Sequence, residues 1–152
     1  MLERTFTLKA SDGTEVFVYG WLPESTPRGV VQVAHGLAEH AGRYRRFAEA
    51  CVARGLAVYA DDHRGHGRTA KEGALGYFGA EQGWRVVLDD LYRLGDHITG
   101  QHPGVPRVFF GHSMGSFLTQ QVLFERGAQL AGAVLSGCAS AVSNPLAPIC
   151  RF

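Results

Sequence analysis

Val30 to Ala34, Leu56 to Ala60, Val105 to Phe110 and Leu130 to Leu135 read as short buried strands, and the segments between them repeat apolar residues at helical spacing. Val30-Val31-Gln32-Val33-Ala34 shows little alternation, as a strand covered on both faces requires. Tyr44, Phe47, Ala48 and Cys51 form one helical stripe, with Arg43, Arg45, Arg46, Glu49 and Arg54 on a solvated face and Gly55 as a stop. Trp84, Val87, Leu88, Leu91, Leu94 and Ile98 mark a second helix ending near Gly100 and Pro103, and Phe117, Leu118, Gln121, Val122 and Phe124 to Glu125 a third. Strands alternating with helices predict an α/β fold: a mostly parallel sheet with right-handed crossovers and helices on both faces. Thr5 to Lys9 and Glu15 to Leu22, split by Ser11-Asp12-Gly13, predict an antiparallel hairpin ahead of it.

In such sheets ligands meet the carboxyl ends of the strands, and the loops after Ala34, Ala60 and Phe110 leave those ends. The last of them is Gly111-His112-Ser113-Met114-Gly115. A serine on a tight strand-to-helix turn projects its hydroxyl from the sheet, and small neighbours let the backbone turn that sharply. Ser113 is therefore the candidate nucleophile. A chain with 20 glycines contains such a pattern readily, so the strand before it and the helix after it carry the assignment. That helix also aims unpaired N–H groups at the site, which favours developing negative charge.

Acyl transfer needs two preorganised donors for the oxyanion, one from the residue after the nucleophile and one from the loop after the third strand. Met114 and Leu37 occupy those positions, and their side chains need not be polar because the backbone donates. Gly111, Gly115, His35 and Gly36 support the two turns. His35, Glu39 and His40 lack the His-Glu-x-x-His spacing of a helical metal site, so no metal is expected there. Gly65-His66-Gly67 lacks the third glycine of a dinucleotide fingerprint, and no phosphate loop follows it. Asp62 is expected to pair with Arg64 or to accept loop N–H groups, and His66 to be a hydrogen-bonded packing residue.

With 15 basic and 14 acidic side chains and no basic run, the chain carries no nucleic-acid footprint. Its apolar stretches fall well short of the roughly 20 residues that cross a bilayer, and its start lacks a signal-peptide core, which points to a cytoplasmic chain. Cys51, Cys138 and Cys150 have no Cys-x-x-Cys spacing and read as reduced packing residues. No cofactor is implied.

Three separated motifs agree in order and spacing: His35-Gly36-Leu37-Ala38-Glu39-His40-Ala41-Gly42-Arg43-Tyr44, Asp62-His63-Arg64-Gly65-His66-Gly67-Arg68-Thr69, and Gly111-His112-Ser113-Met114-Gly115-Ser116. On these the chain resembles the α/β-hydrolase superfamily, in its monoacylglycerol lipase, lysophospholipase and serine aminopeptidase-like branch. Gly83-Trp84 with Asp89-Asp90 also looks like that branch's helix before the fifth strand. The resemblance implies an α/β-hydrolase fold, a nucleophile at Ser113 and backbone oxyanion donors at Leu37 and Met114. It also implies carboxylic-ester hydrolysis, with a small monoacylglycerol- or lysophospholipid-like acyl ester as partner and aminopeptidase chemistry as a neighbouring alternative.

The superfamily's triad runs Ser, then Asp or Glu, then His along the chain. Beyond Ser113 there is no histidine and no aspartate, and Glu125 lies along the departing helix, facing the wrong end of the sheet. No triad acid or histidine is therefore found. Residues 1–152 read as a partial α/β-hydrolase domain truncated after about the sixth strand, with a lid beginning over Val142 to Phe152 and low turnover. Leu130 to Leu135 is expected to form an open apolar edge that favours self-association. A catalytically silent binding module, or half of a split hydrolase, is the alternative.

Overall fold

The computed structural model describes residues 1–72, 74–79 and 81–138. In chain order the elements are β1 (Leu2–Lys9), β2 (Glu15–Leu22), β3 (Gly29–Ala34), a 3-10 turn (Ala41–Tyr44), α1 (Arg45–Val52), β4 (Leu56–Asp61), α2 (Gly83–Gln101), β5 (Arg107–His112), α3 (Met114–Arg126), a second 3-10 turn (Gly127–Gln129) and β6 (Gly132–Ser136). They form a six-stranded sheet in the order β1-β2-β4-β3-β5-β6. β1 and β2 pair antiparallel, as do β2 and β4, while β3 is parallel to both β4 and β5, and β5 to β6. The expected mostly parallel α/β sheet with its leading antiparallel hairpin is thus present. The expected lid segment, Val142 to Phe152, and Cys150 lie outside the described residues.

Because side chains alternate across a strand, β3 serves two cores. Val31 and Val33 pack with Val58, Ala60 and Trp21 against Ala48, Phe47 and Cys51 of α1. Val30 packs on the other side, with Ala57 and Tyr59, against Leu94 and Ile98 of α2. Phe109 joins Leu88, Leu91, Leu118 and Val122 beneath α2 and α3. Every β3 position is buried, which accounts for its unbroken apolar run.

Strand ends moved by a few residues for local reasons. The ladder of β1 with β2 runs unbroken from Leu2 opposite Leu22 to Lys9 opposite Glu15, so β1 starts before Thr5. β5 spans Arg107–His112 rather than Val105 to Phe110: proline offers no N–H to a ladder, and pairing with β6 continues to His112 opposite Ser136. Likewise Leu130 N–H closes the second 3-10 turn on Gly127 O (3.0 Å), so β6 starts at Gly132. β6 lies at the sheet edge with Val134 and Leu135 exposed. Among the described residues no helix is long and apolar enough to cross a membrane.

Candidate active site

β5 and α3 are separated by a single residue, Ser113, and all the direction change falls on it. Its backbone sits at φ 53°, ψ −117°, outside the regions open to ordinary L-residues. Such a conformation costs about 1–3 kcal/mol and persists only where the surroundings over-determine it. Here Ser113 N–H donates to Ser136 O (2.8 Å), while its carbonyl accepts from the Ser116 hydroxyl (2.6 Å) and the Ser116 N–H (2.9 Å).

The glycines of the motif answer to space. Neither Gly111 nor Gly115 has positive φ. A Cβ on Gly111 would overlap Thr119 Oγ1 and Gly115 O, and one on Gly115 would lie 2.6 Å from the Ala34 carbonyl carbon and 2.7 Å from His35 O. The first turn of α3 therefore presses directly on the end of β3. On the same flank, a Cβ on Gly36 would lie 3.2 Å from Ser113 Cβ and 3.0 Å from Glu39 Oε1. This contact brings the loop of Leu37 against Ser113.

The 35–44 loop is held amide by amide. Gly36 N–H donates to Glu39 Oε1 (2.5 Å), which also accepts from the Tyr44 hydroxyl (2.8 Å). Burial pushes the Tyr44 hydroxyl well above its ordinary pKa, so it stays a donor. Ala38, at φ 59°, donates its N–H to His66 Nε2 (3.2 Å), and Ala41 N–H donates to Asp62 Oδ1 (2.7 Å). Asp62 accepts Arg68 N–H as well (2.7 Å), so of its two expected roles it takes the second. Arg64 turns instead to Asp90, with Nε to Oδ2 at 2.6 Å and Nη2 to Oδ1 at 3.1 Å, and to Asp12. Asp90 raises the affinity of that guanidinium for its proton still further.

Among the described residues, neither the Leu37 N–H nor the Met114 N–H donates to a protein acceptor, and no hydrogen bond engages the Ser113 hydroxyl. Among the described residues no histidine hydrogen-bonds to that hydroxyl. His112 Nδ1 meets Ser136 Oγ at 3.2 Å. His35 and His66 are buried with both ring nitrogens hydrogen-bonded, and His63 is fully buried with Nδ1–H on Asp61 Oδ2 (2.9 Å). Glu125 binds Arg85, Tyr92 and Gln121 along α3. The sequence signal had not singled out Glu39 and Tyr44 as a clamp on Gly36. A carboxylate three residues after a glycine N–H at a turn was the available clue.

His35 and His66 also make the fold acid-sensitive. Burial lowers both pKa values below the ordinary 6.5, with His63 adding to the effect at His35. Below about pH 6.5 the unfolded chain takes up protons that the folded chain refuses, so stability falls as pH drops, by up to about 1.4 kcal/mol per pH unit at His35 and in the same direction at His66. Urea unfolding between about pH 5 and 6.5 should follow this slope, and His35→Asn should flatten it by about one histidine's worth. An unchanged slope in that variant would contradict the assignment.

Residues 25–152 match the protein family described as serine aminopeptidase, S33. The chain is 38% identical over 148 residues to a monoacylglycerol lipase of Mycolicibacterium smegmatis, covering 90% of this chain and 47% of that protein. Against the monoglyceride lipase of Homo sapiens it is 34% identical over 125 residues, 82% of this chain and 40% of that one. A thermostable carboxyl esterase from Bacillus coagulans, solved in complex with glycerol, superposes with a TM-score of 0.86 at 33% identity, over 98% of this chain and 49% of that chain. A soluble variant of monoglyceride lipase from Saccharomyces cerevisiae shares the fold, with a TM-score of 0.76 at 20% identity over 89% and 44%. The chain spans 47% of the Mycolicibacterium smegmatis lipase and 40% of the human one, so under half of their length.

Proposed function

Because the chain belongs to the serine aminopeptidase S33 family of α/β-hydrolases, we propose that it supplies the nucleophile and oxyanion hole of a serine hydrolase of carboxylic esters. The observation that carries this is the strained Ser113 at the β5–α3 junction, with Gly36 packed against its Cβ. Ser113 Oγ bonds to the ester carbonyl carbon as its proton passes to a base, and the carbonyl π pair moves onto oxygen. The N–H groups of Leu37 and Met114 take that oxyanion. Collapse breaks the bond to the leaving oxygen, which takes up the proton held by the base and departs as the alcohol, and water then cleaves the acyl-serine to the carboxylic acid and free Ser113.

The names of the relatives support monoacylglycerol-like acyl esters ahead of aminopeptidase chemistry, with lysophospholipid-like esters as a neighbouring substrate class. The same reading takes residues 1–152 as one partial hydrolase domain in the cytoplasm. It expects low turnover, since serine at its free pKa needs a base within hydrogen-bond reach and none stands there among the described residues.

p-Nitrophenyl butyrate separates the two half-reactions. Its leaving group departs without protonation, and solvent hydroxide or buffer base can take the Ser113 proton, so acylation proceeds slowly, whereas deacylation needs an activated water and stalls. Peptide mass spectrometry should find butyryl-Ser113, with no sustained p-nitrophenol release above that of Ser113→Ala. Butyrylation of another residue with Ser113 unmodified would overturn the nucleophile, and sustained Ser113-dependent turnover would overturn the missing base. The second reading, a non-catalytic binding module, is favoured by the exposed Val134 and Leu135 on the β6 edge. Self-association in sedimentation of the same preparation, joined to an unlabelled Ser113, would select it.

A further inference from the structure

The loops after β3 and β4 are stitched together by two histidines with opposite arrangements. His35, on the first loop, accepts a hydrogen bond at Nε2 from His63 N–H (3.0 Å) on the second. A backbone N–H can only donate, so the neutral ring carries its proton on Nδ1 and donates it to Gly36 O (2.7 Å). His66, on the second loop, accepts at Nε2 from Ala38 N–H (3.2 Å) on the first and donates from Nδ1 to Arg64 O (2.9 Å). Both rings are buried, and each lies within 5.2 Å of the other by centroid in an edge arrangement.

These two bonds flank one peptide group. The Gly36 carbonyl and the Leu37 N–H belong to the same planar trans unit, so they point in opposite directions. Anchoring Gly36 O on the buried His35 ring aims Leu37 N–H away from the interior. On the other side, His66 holds Ala38 N–H and with it the left-handed turn at Ala38. Gly36 N–H is taken by Glu39, so of three consecutive amides only that of Leu37 is left to receive a ligand.

We propose that His35 and His66 are positioning residues for the oxyanion hole: together they lock the Gly36–Leu37 peptide so that Leu37 N–H faces the carbonyl attacked by Ser113. This rests on the reading of Leu37 as an oxyanion donor. It also makes the loop after β4, which contributes no group to the chemistry, a determinant of acylation rate.

Amide isosteres separate the roles of the two ring nitrogens. Asn places an N–H near the Nδ1 position and Gln places a carbonyl near the Nε2 position. At position 35 the bond that matters is made by Nδ1, so His35→Asn should preserve function and His35→Gln should lose it. At position 66 it is made by Nε2, so His66→Gln should preserve function and His66→Asn should lose it. Loss of packing or volume alone would rank the two substitutions the same way at both positions.

Two measurements on the full chain read this. The one-bond N–H residual dipolar coupling of Leu37, in an isotope-labelled and weakly aligned sample, reports the direction of that bond without any chemistry. It should match wild type in His35→Asn and His66→Gln and change in His35→Gln and His66→Asn. Butyrylation of Ser113 should slow by about tenfold or more in the latter two, short of or reaching the roughly 10²–10³ that a lost oxyanion donor costs. An unchanged coupling in His35→Gln, or one rank order at both sites, would overturn the positioning role. A rotated Leu37 N–H with unaltered labelling would leave the clamp standing and overturn the oxyanion role of Leu37.

Discussion

Gly115→Ala is expected to destabilise the protein by about 3 kcal/mol or more, at or beyond the top of the usual 1–3 kcal/mol range for overpacking. The added methyl would overlap Ala34 O and lie 2.6 Å from the Ala34 carbonyl carbon and 2.7 Å from His35 O. All three are backbone atoms, so no side-chain rotation can make room. Relief requires either lifting α3 off the sheet or moving the end of β3, where Ala34 pairs with Gly111 and the loop of Leu37 begins. For a fold with about 5–15 kcal/mol in total, this is a large fraction. Urea or thermal unfolding measures it, with Gly100→Ala as the control. Gly100 lies near the end of α2, where an added methyl would meet nothing within 4 Å beyond its own stretch of helix, so alanine there should be neutral or gain up to about 1 kcal/mol. Equal stability of the two variants would contradict the close approach of α3 to β3.

Asp90→Ala should cost about 3–5 kcal/mol, the typical result of removing one partner from a buried ion pair. Asp90 and Arg64 side chains are 3% and 7% exposed and meet through two hydrogen bonds. Without Asp90 the guanidinium keeps, among the described residues, only Asp12 and Thr14 at the rim. Asp12 is 49% exposed, and Asp12→Ala should cost only about 1 kcal/mol because water screens that partner. Denaturant unfolding of the two single variants tests the ratio, and equal losses would refute it. The consequence reaches the site, since Arg64 O holds His66 and His66 holds Ala38. Loosening Arg64 loosens the loop that carries Leu37.

Local pattern was enough to place every strand and helix within a few residues, because backbone hydrogen bonding imposes a period of about 2 or 3.6 on whichever side chains face a core. It also singled out Ser113: a serine wedged between strand and helix periodicities has to absorb the whole turn. The position of β4 between β2 and β3 was not legible, since nothing within Leu56–Asp61 names its neighbours.

The residue types of the site were thus determined by the sequence itself, while their partnerships were decided by the tertiary structure. Arg64 lies 2 residues from Asp62 but binds Asp90, 26 residues away, and His66 holds an amide 28 residues before it. Gly115 looked like a glycine chosen for a sharp turn, yet its φ is ordinary and the constraint comes from Ala34 and His35 of another strand end. Periodicity reports which side of an element is buried; it carries no information on which distant loop will arrive there. That depends on the order and crossing of strands in the sheet, and only then do two histidines acquire the neighbours that fix the Leu37 peptide.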